Sequence, residues 1–348
     1  MEEVVLRLRI KGIIRETPDV KTFVLEPTEN RVIPYRAGQF LTVLLPLHGR
    51  DVRRSYSLSS SPEADQDLAI TVKRVTNGAV SRHLLDSLRM GDELRCLPPA
   101  GRFTLDDAST DGLFLIGAGS GMTPLFSLLK TALHTQPHRK ITLLDANRDA
   151  RSAIFFNELN LLAQQHPDRL TVLHLFSTPS DGQPARRLNN HLLERLVRLH
   201  VQGDWSMIRF YVCGPPDFMR MVRITLRFMG FGPDQIRLEN FVVEAIPVAE
   251  VLPTDPNAPP SRVTLIFRET KYHLAVAPGT YLLTAALAAG IPLPYSCRGG
   301  RCSACAARCL SGRVVMRIND VLTERDLAEG WVLTCTGHAE SEEVVLSV

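Results

Sequence analysis

The chain has 348 residues, of which 45% are hydrophobic and 22% charged, with a formal net charge of +3. That length exceeds one ordinary hydrophobic core and calls for two or three domains, and the composition is that of a globular protein. So small a charge gives no ground for a nucleic-acid or membrane-surface role. No run of about 18 apolar residues is present to span a bilayer, and the acidic start Met1-Glu2-Glu3-Val4 lacks the basic-then-apolar order of a signal peptide.

The first hundred or so residues read as short strands between Pro, Gly and Asp breaks: Val4 to Ile10, Lys21 to Leu25, Phe40 to Leu45, Arg54 to Leu58 and Leu68 to Lys73, with one helix near Ser81 to Leu88. Many short strands at such spacing predict a small antiparallel β-barrel. Within it, Arg54-Ser55-Tyr56-Ser57 offers a guanidinium that can clamp phosphate, a ring that can stack on a flat cofactor and a hydroxyl that can bond a ring nitrogen. Taken alone it reads first as a strand with one surface arginine. Gly78-Ala79-Val80-Ser81, just before the helix, is a second candidate phosphate contact and is as weak by itself.

From about Asp111 the rhythm changes to apolar strands alternating with helices. Leu113 to Ile116, Ile141 to Leu144, Leu170 to Phe176 and Phe210 to Val212 are the strands, and Thr123 to Leu133 is the first helix. That alternation predicts a parallel α/β sheet. Gly117-Ala118-Gly119-Ser120-Gly121-Met122-Thr123-Pro124 follows a buried strand and opens a helix, where glycines permit close approach and free N–H groups face a pyrophosphate. The spacing is not the usual G-x-G-x-x-G, and tight turn packing is the alternative. Cys213-Gly214-Pro215 ends the strand Phe210 to Val212, at the end of a parallel strand where α/β ligands sit; a buried structural cysteine is the alternative there.

Between Ala245 and Ser261 stand Pro247, Pro253, Pro256, Pro259 and Pro260 with almost no apolar periodicity, so this stretch reads as a semi-rigid linker. Beyond it come strands Val263 to Phe267 and Tyr272 to Val276, a helix from Thr280 to Ala289 stopped by Gly290 and Pro292, a cysteine loop, and strands Gly312 to Ile318 and Val344 to Val348. This order is compatible with a β-grasp ferredoxin. Cys297, Cys302 and Cys305 fall in C-x4-C-x2-C spacing with Cys335 downstream, the pattern of plant-type [2Fe–2S] ligation. Gly299 and Gly300 let the chain wrap closely and leave N–H groups to point at sulfur. Zinc and disulfides are the alternatives, but structural zinc usually takes two short-spaced pairs, and here three candidate ligands share one loop. The remaining Cys96, Cys213 and Cys309 are scattered and odd in number, which fits a reducing cytoplasm. No H-E-x-x-H, close His pair or G-x-S-x-G is present.

Arg-x-Tyr-Ser, Gly-x-x-Ser, Gly-x-Gly-Ser-Gly-x-Thr-Pro and Cys-Gly-Pro, in that order, resemble the ferredoxin–NADP reductase superfamily. With the C-terminal cysteine set the whole chain resembles its oxygenase-reductase branch, in the group containing phenylacetyl-CoA epoxidase reductase and 3-ketosteroid 9α-hydroxylase reductase. Ala146-Asn147-Arg148-Asp149 and Ile318-Asn319-Asp320-Val321-Leu322 look particularly like the ketosteroid enzyme's segments. The resemblance implies a multidomain chain: an antiparallel β-barrel flavin domain over 1–107, an α/β parallel-sheet nucleotide domain over 108–244, the linker over 245–261 and a β-grasp ferredoxin domain over 262–348. It implies FAD, a [2Fe–2S] cluster, and NADH or NADPH as cofactors.

Carried over by position, Arg54 would hold the FAD pyrophosphate with help from Gly78 and Ser81, Tyr56 would lie against the isoalloxazine, and Ser57 would sit near its N5 edge. Gly117, Gly119, Thr123 and Pro124 would border the nicotinamide nucleotide, Cys213 with Gly214 and Pro215 would flank the nicotinamide, and Glu239 and Phe241 would approach the flavin; Ser57, Cys213 and Glu239 are thus the catalytic candidates. Arg148 would meet a 2′-phosphate, with Asp145 and Asp149 opposing it, and NADH is the expected coenzyme. Asp145 stands where relatives usually carry a small residue. Ser303 replaces a frequent Gly in the cysteine loop, a departure that bears on hydrogen bonding to sulfur and on potential.

A nicotinamide gives up two electrons as a hydride, whereas a [2Fe–2S] cluster accepts one at a time, so a flavin must stand between them. The expected route is hydride to FAD, single electrons to the cluster, and delivery to a separate oxygenase or hydroxylase. The alternatives are a hybrid-cluster or other iron–sulfur acceptor protein or, in a different class, a redox-sensing electron-carrier fusion. No nucleic acid or membrane partner is expected.

Overall fold

In the computed structural model, residues 4–29, 31–47, 50–105, 112–179, 184–201, 203–241 and 259–348 are described. The boundary expected near 107 and most of the linker over 245–261 lie outside them. The chain divides into two compact units, Val5–Glu239 and the stretch from Asn240 to Val348.

The first unit opens with β1 (Leu6–Thr17), β2 (Val20–Pro27), β3 (Phe40–Leu47), β4 (Arg50–Ser57), β5 (Leu68–Lys73), α1 (Ala79–Ser87) and β6 (Glu93–Ala100). Alternation builds the sheet: Leu6, Leu8 and Ile10 of β1 are buried while Arg7, Arg9 and Lys11 are exposed. The six strands run antiparallel in the order β4-β3-β6-β1-β2-β5, and a bridge between Leu58 and Ile70 brings the two ends of that order together. Leu8, Ile10, Phe23, Leu25, Leu41 and Ile70 fill the interior, with Leu84 and Leu85 of α1 packed on it.

The same unit continues with β7 (Gly112–Ala118), α2 (Met122–Thr135), β8 (Lys140–Asn147), α3 (Phe156–Gln165), β9 (Leu170–Phe176), α4 (Asn190–His200), β10 (Ile208–Cys213), α5 (Pro216–Phe228) and β11 (Ile236–Glu239). All five strands are parallel, in the order β11-β10-β7-β8-β9. The direction of winding reverses at β7, so the crevice between the ends of β7 and β10 is the sheet's topological switch point. A buried polar seam ties α2 to the turn after β4. Ser127 Oγ donates to the Ser60 carbonyl (2.5 Å), Thr131 Oγ1 meets Ser61 Oγ (2.7 Å) and Glu63 (2.8 Å), and Lys130 pairs with Asp65.

The second unit holds β12 (Ser261–Phe267), β13 (Thr270–Val276), α6 (Leu282–Ala288), β14 (Ala306–Ser311), β15 (Val314–Met316), α7 (Glu324–Ala328), β16 (Trp331–Leu333), β17 (Gly337–Ala339) and β18 (Glu343–Ser347). Its main sheet runs β13-β12-β18-β14-β16, with β12 and β18 parallel and α6 packed on the core through Leu282, Leu283 and Ala286. This is a β-grasp. The expected strand Gly312 to Ile318 shrinks to β15, which pairs with β17 in a separate ribbon, because Gly312 takes φ +84° and turns the chain off the main sheet. The place beside β18 on the side away from β12 goes instead to β14, which follows the cysteine loop without a break. Among the described residues no helix is long and apolar enough to cross a membrane.

Candidate functional site

Three groups of residues carry the chemistry. In the first, β4 pairs with β3 through Arg54–Val43, Tyr56–Leu41 and Ser57–Phe40, so the pleat sets Arg54 and Tyr56 on one face and Ser57 on the other. Tyr56 is half-buried and burial pushes its phenol well up, against the pull of Arg54's charge. Ser57 is 3% exposed and its Oγ has no hydrogen-bond partner. A buried hydroxyl left unpaired costs about 1–3 kcal/mol, so Ser57 is a donor open to a polar group of a bound cofactor. At the start of α1, Ser81 Oγ accepts from the Val75 N–H (3.1 Å) and donates to the Gly78 carbonyl (3.3 Å). Its hydroxyl thus shapes the turn, which leaves the helix-end N–H groups as the available phosphate donors.

The second group surrounds the switch point. Gly117 and Cys213 are register partners on β7 and β10, and Cys213 pairs in turn with Glu239 on β11. A Cβ on Gly121 would lie 2.1 Å from the Cys213 carbonyl oxygen, and one on Gly117 would lie 2.8 Å from Met122 Cε. Gly119 takes φ +56°. The glycine turn therefore packs against Cys213-Gly214 at a distance no side chain allows. Thr123 Oγ1 donates to the Ser120 carbonyl (2.9 Å), and α2 begins with no side-chain cap; the short turn Gly119–Gly121 leads into it and its Gly119 carbonyl already takes the Met122 N–H. Pro124 is buried in the first turn of α2 and Pro215 precedes α5. Glu239 is 3% exposed, and burial pushes its carboxyl up to about 8. Burial, then the neighbouring Glu239 charge, raises the Cys213 thiol well above its usual range. Both shifts favour the uncharged form of the group, which suits a site for a neutral ring.

The sequence reading missed Lys73. Its Nζ lies 3.5 Å from where a Cβ on Gly119 would be, which sets a cation beside the glycine turn. Phe241 lies past Glu239, outside this unit. Arg148 is 73% exposed and its Nε is 3.5 Å from Asp149 Oδ2. Asp145 is not at the surface beside it. It is fully buried, 2.8 Å from His174 Nδ1 on β9, and it accepts from Asn147 Nδ2 at 2.7 Å. The acid that flanks Arg148 at the surface is Asp149, whose Oδ1 also caps Ser152 (2.9 Å).

The third group is the cysteine loop of the second unit. Cys302, Cys305 and Cys335 are buried and Cys297 is partly so. Among the described residues no group of three or more His, Cys, Asp and Glu side chains has the arrangement of a single-ion site. The thiols are instead linked in a row, Cys302 to Cys297 to Cys335 to Cys305, which suits ligands shared between two irons. Hydrogen bonds from the Cys302 and Cys335 thiols, with the N–H groups of Gly299 (3.3 Å) and Arg301 (3.5 Å), hold Cys297 far below its ordinary value. The same mutual hydrogen bonds lower Cys305 and raise Cys302 and Cys335, so the four sulfurs share their protons along one row. Thr334 N–H and Oγ1 both donate to the Cys305 carbonyl (3.2 and 3.0 Å), fixing the fourth cysteine against the loop. Gly300 takes φ +73° with its Cα face against the Ile318 carbonyl, and Arg301 pairs with Asp320 at 3.1 Å.

Comparison with known proteins gives three family matches in chain order: an oxidoreductase FAD-binding domain over residues 7–105, an oxidoreductase NAD-binding domain over 115–224, and a 2Fe-2S iron-sulfur cluster binding domain over 266–340. The chain is 37% identical to the ferredoxin reductase component of 3-ketosteroid-9-alpha-monooxygenase from Mycobacterium tuberculosis, over 98% of this chain and 95% of that one. It is 30% identical to a component of the 1,2-phenylacetyl-CoA epoxidase of Escherichia coli, over 97% of this chain and 96% of that protein. Among solved structures, phthalate dioxygenase reductase superposes with a TM-score of 0.60 at 23% identity, covering 99% of this chain and 98% of that one, which is a likeness of fold.

Proposed function

This chain belongs to the family of FAD- and NAD-binding oxidoreductases with a [2Fe-2S] domain that act as reductase components of oxygenases, and on that premise we propose that it carries electrons from NAD(P)H to a separate oxygenase. The observation that carries the reading is the presence on one chain of a nucleotide crevice at Gly121 and Cys213 and a row of four thiols. When bound, FAD supplies the exchange between a two-electron hydride and single electrons, and the cluster supplies a one-electron outlet.

The chain's own residues do the rest. Gly119 and Gly121 bring backbone N–H groups against a pyrophosphate at the start of α2, and Lys73 adds charge beside them. Arg54 and the N-terminus of α1 hold the flavin's phosphates, Tyr56 covers its ring, and Ser57 gives a hydroxyl to a ring nitrogen. Cys213 and Glu239, both shifted towards their uncharged forms, keep competing charge away from the nicotinamide. Cys297, Cys302, Cys305 and Cys335 ligate the two irons. The relatives' names point to acceptors that are monooxygenases or epoxidases. Cys96, Cys213 and Cys309, the three outside the cluster set, form no disulfide, which accords with a cytoplasmic location.

Anaerobic addition of NADH or NADPH tests this directly. Flavin absorbance bleaches first and a rhombic EPR signal of the reduced cluster follows, and turnover begins when a partner oxygenase is added. A flavin that bleaches while the cluster stays oxidised would refute the electron path.

A further inference from the structure

Ser303 stands between two cluster ligands, Cys302 and Cys305, and carries two features that a loop residue has no structural reason to combine. It takes φ +50°, a left-handed conformation that glycine adopts freely and serine does not. It is also 6% exposed, and its Oγ makes no hydrogen bond to any protein group. Its backbone carbonyl is engaged with the Ala306 N–H at 3.0 Å, so the orphan is the hydroxyl alone. Replacing it with glycine would relieve the backbone and remove the buried polar atom together. A hydroxyl kept in such a place needs an acceptor, and the acceptors that enter this loop on loading are sulfurs.

We propose that the Ser303 hydroxyl donates a hydrogen bond to a sulfur of the bound cluster and thereby raises the cluster's reduction potential. This rests on the cluster assigned above. Reduction adds one electron to the iron–sulfur core and makes its sulfurs more negative. A fixed O–H donor in a buried loop therefore stabilises the reduced form more than the oxidised form. The gain favours electron entry from the flavin. Arg301 Nη1 is also buried without a partner, but its side chain is already held by Asp320, so the serine is the donor whose whole polar capacity is open.

The test compares full-length wild type with Ser303→Ala and Ser303→Gly by EPR-monitored redox titration. Alanine removes the hydroxyl and keeps the left-handed strain, whereas glycine removes both. Both variants should lower the reduced-to-oxidised ratio at the wild-type midpoint about tenfold, a shift of about 59 mV for one electron. In parallel, the wild-type Fe–S stretching bands in resonance Raman should shift on exchange into D2O, and both variants should lose that sensitivity. An unchanged or higher midpoint in the glycine variant, with its EPR signal intact, overturns the hydroxyl's role, as does a shift confined to the alanine variant. If wild type itself shows no rhombic signal on reduction, the cluster assignment falls and this inference with it.

Discussion

Replacing Glu239 by glutamine isolates the most perturbed carboxyl near the nucleotide crevice. Burial raises it from an ordinary 4.5 to about 8, with no cation among the causes. A carboxyl whose folded value lies above its unfolded value binds a proton preferentially in the folded state. Its contribution is therefore fully present below 4.5 and is lost as pH rises through 8. Between pH 6 and pH 9 the loss amounts to about 3 kcal/mol, since each unit of difference is worth about 1.4 kcal/mol. Glutamine has the same shape and no such proton. Urea unfolding of FAD-saturated wild type and Glu239→Gln at half-unit steps from pH 6 to pH 9 should give two curves that separate steadily. Wild type should lose about 3 kcal/mol more than the variant over that range. Parallel curves would show that the carboxyl is already ionised at pH 6, and with it the picture of an uncharged Cys213–Glu239 pair fails.

Four further outcomes follow from the same geometry. Cys297→Ser and Cys335→Ser should each abolish the cluster's visible absorbance and EPR signal while sparing flavin content, whereas Cys309→Ser, outside the ligand spacing, should keep both. Gly121→Ala drives a methyl to 2.1 Å from the Cys213 carbonyl, so the crevice must open; kcat/KM for NADH should fall about 10²-fold, a loss typical of displacement by about 1 Å, with FAD still bound. Ending the chain between Ala249 and Ser261 should leave a flavoprotein that oxidises NAD(P)H with ferricyanide but no longer serves its oxygenase, and equal rates with that oxygenase would contradict the electron path. For the coenzyme, Asp149 beside Arg148 should keep NADH preferred, and a tenfold preference for NADPH that vanishes in Arg148→Ala would reverse this assignment.

Local pattern made much of the fold legible. Alternation along β1 and the apolar run of β9 are properties of a few adjacent residues, and the cysteine spacing needs only counting. What stayed hidden depends on distant partners. Asp145 reads as an acid flanking Arg148 until β9 places His174 in register with it, and the sheet then buries the carboxylate. Lys73 closes a barrel strand far upstream of the glycine turn it meets, so nothing in its neighbours marks it. The serine- and acid-rich turn Ser60-Ser61-Pro62-Glu63-Ala64-Asp65 looks like a solvated loop. Only the approach of Ser127, Lys130 and Thr131 on α2 makes it the joint between the two sheets. That joint matters for function, because α2 begins at the nucleotide turn and the loop begins just past Ser57. One short polar seam therefore links the two places that must hold hydride donor and acceptor in register, and polar side chains give it a direction that apolar packing alone would leave free.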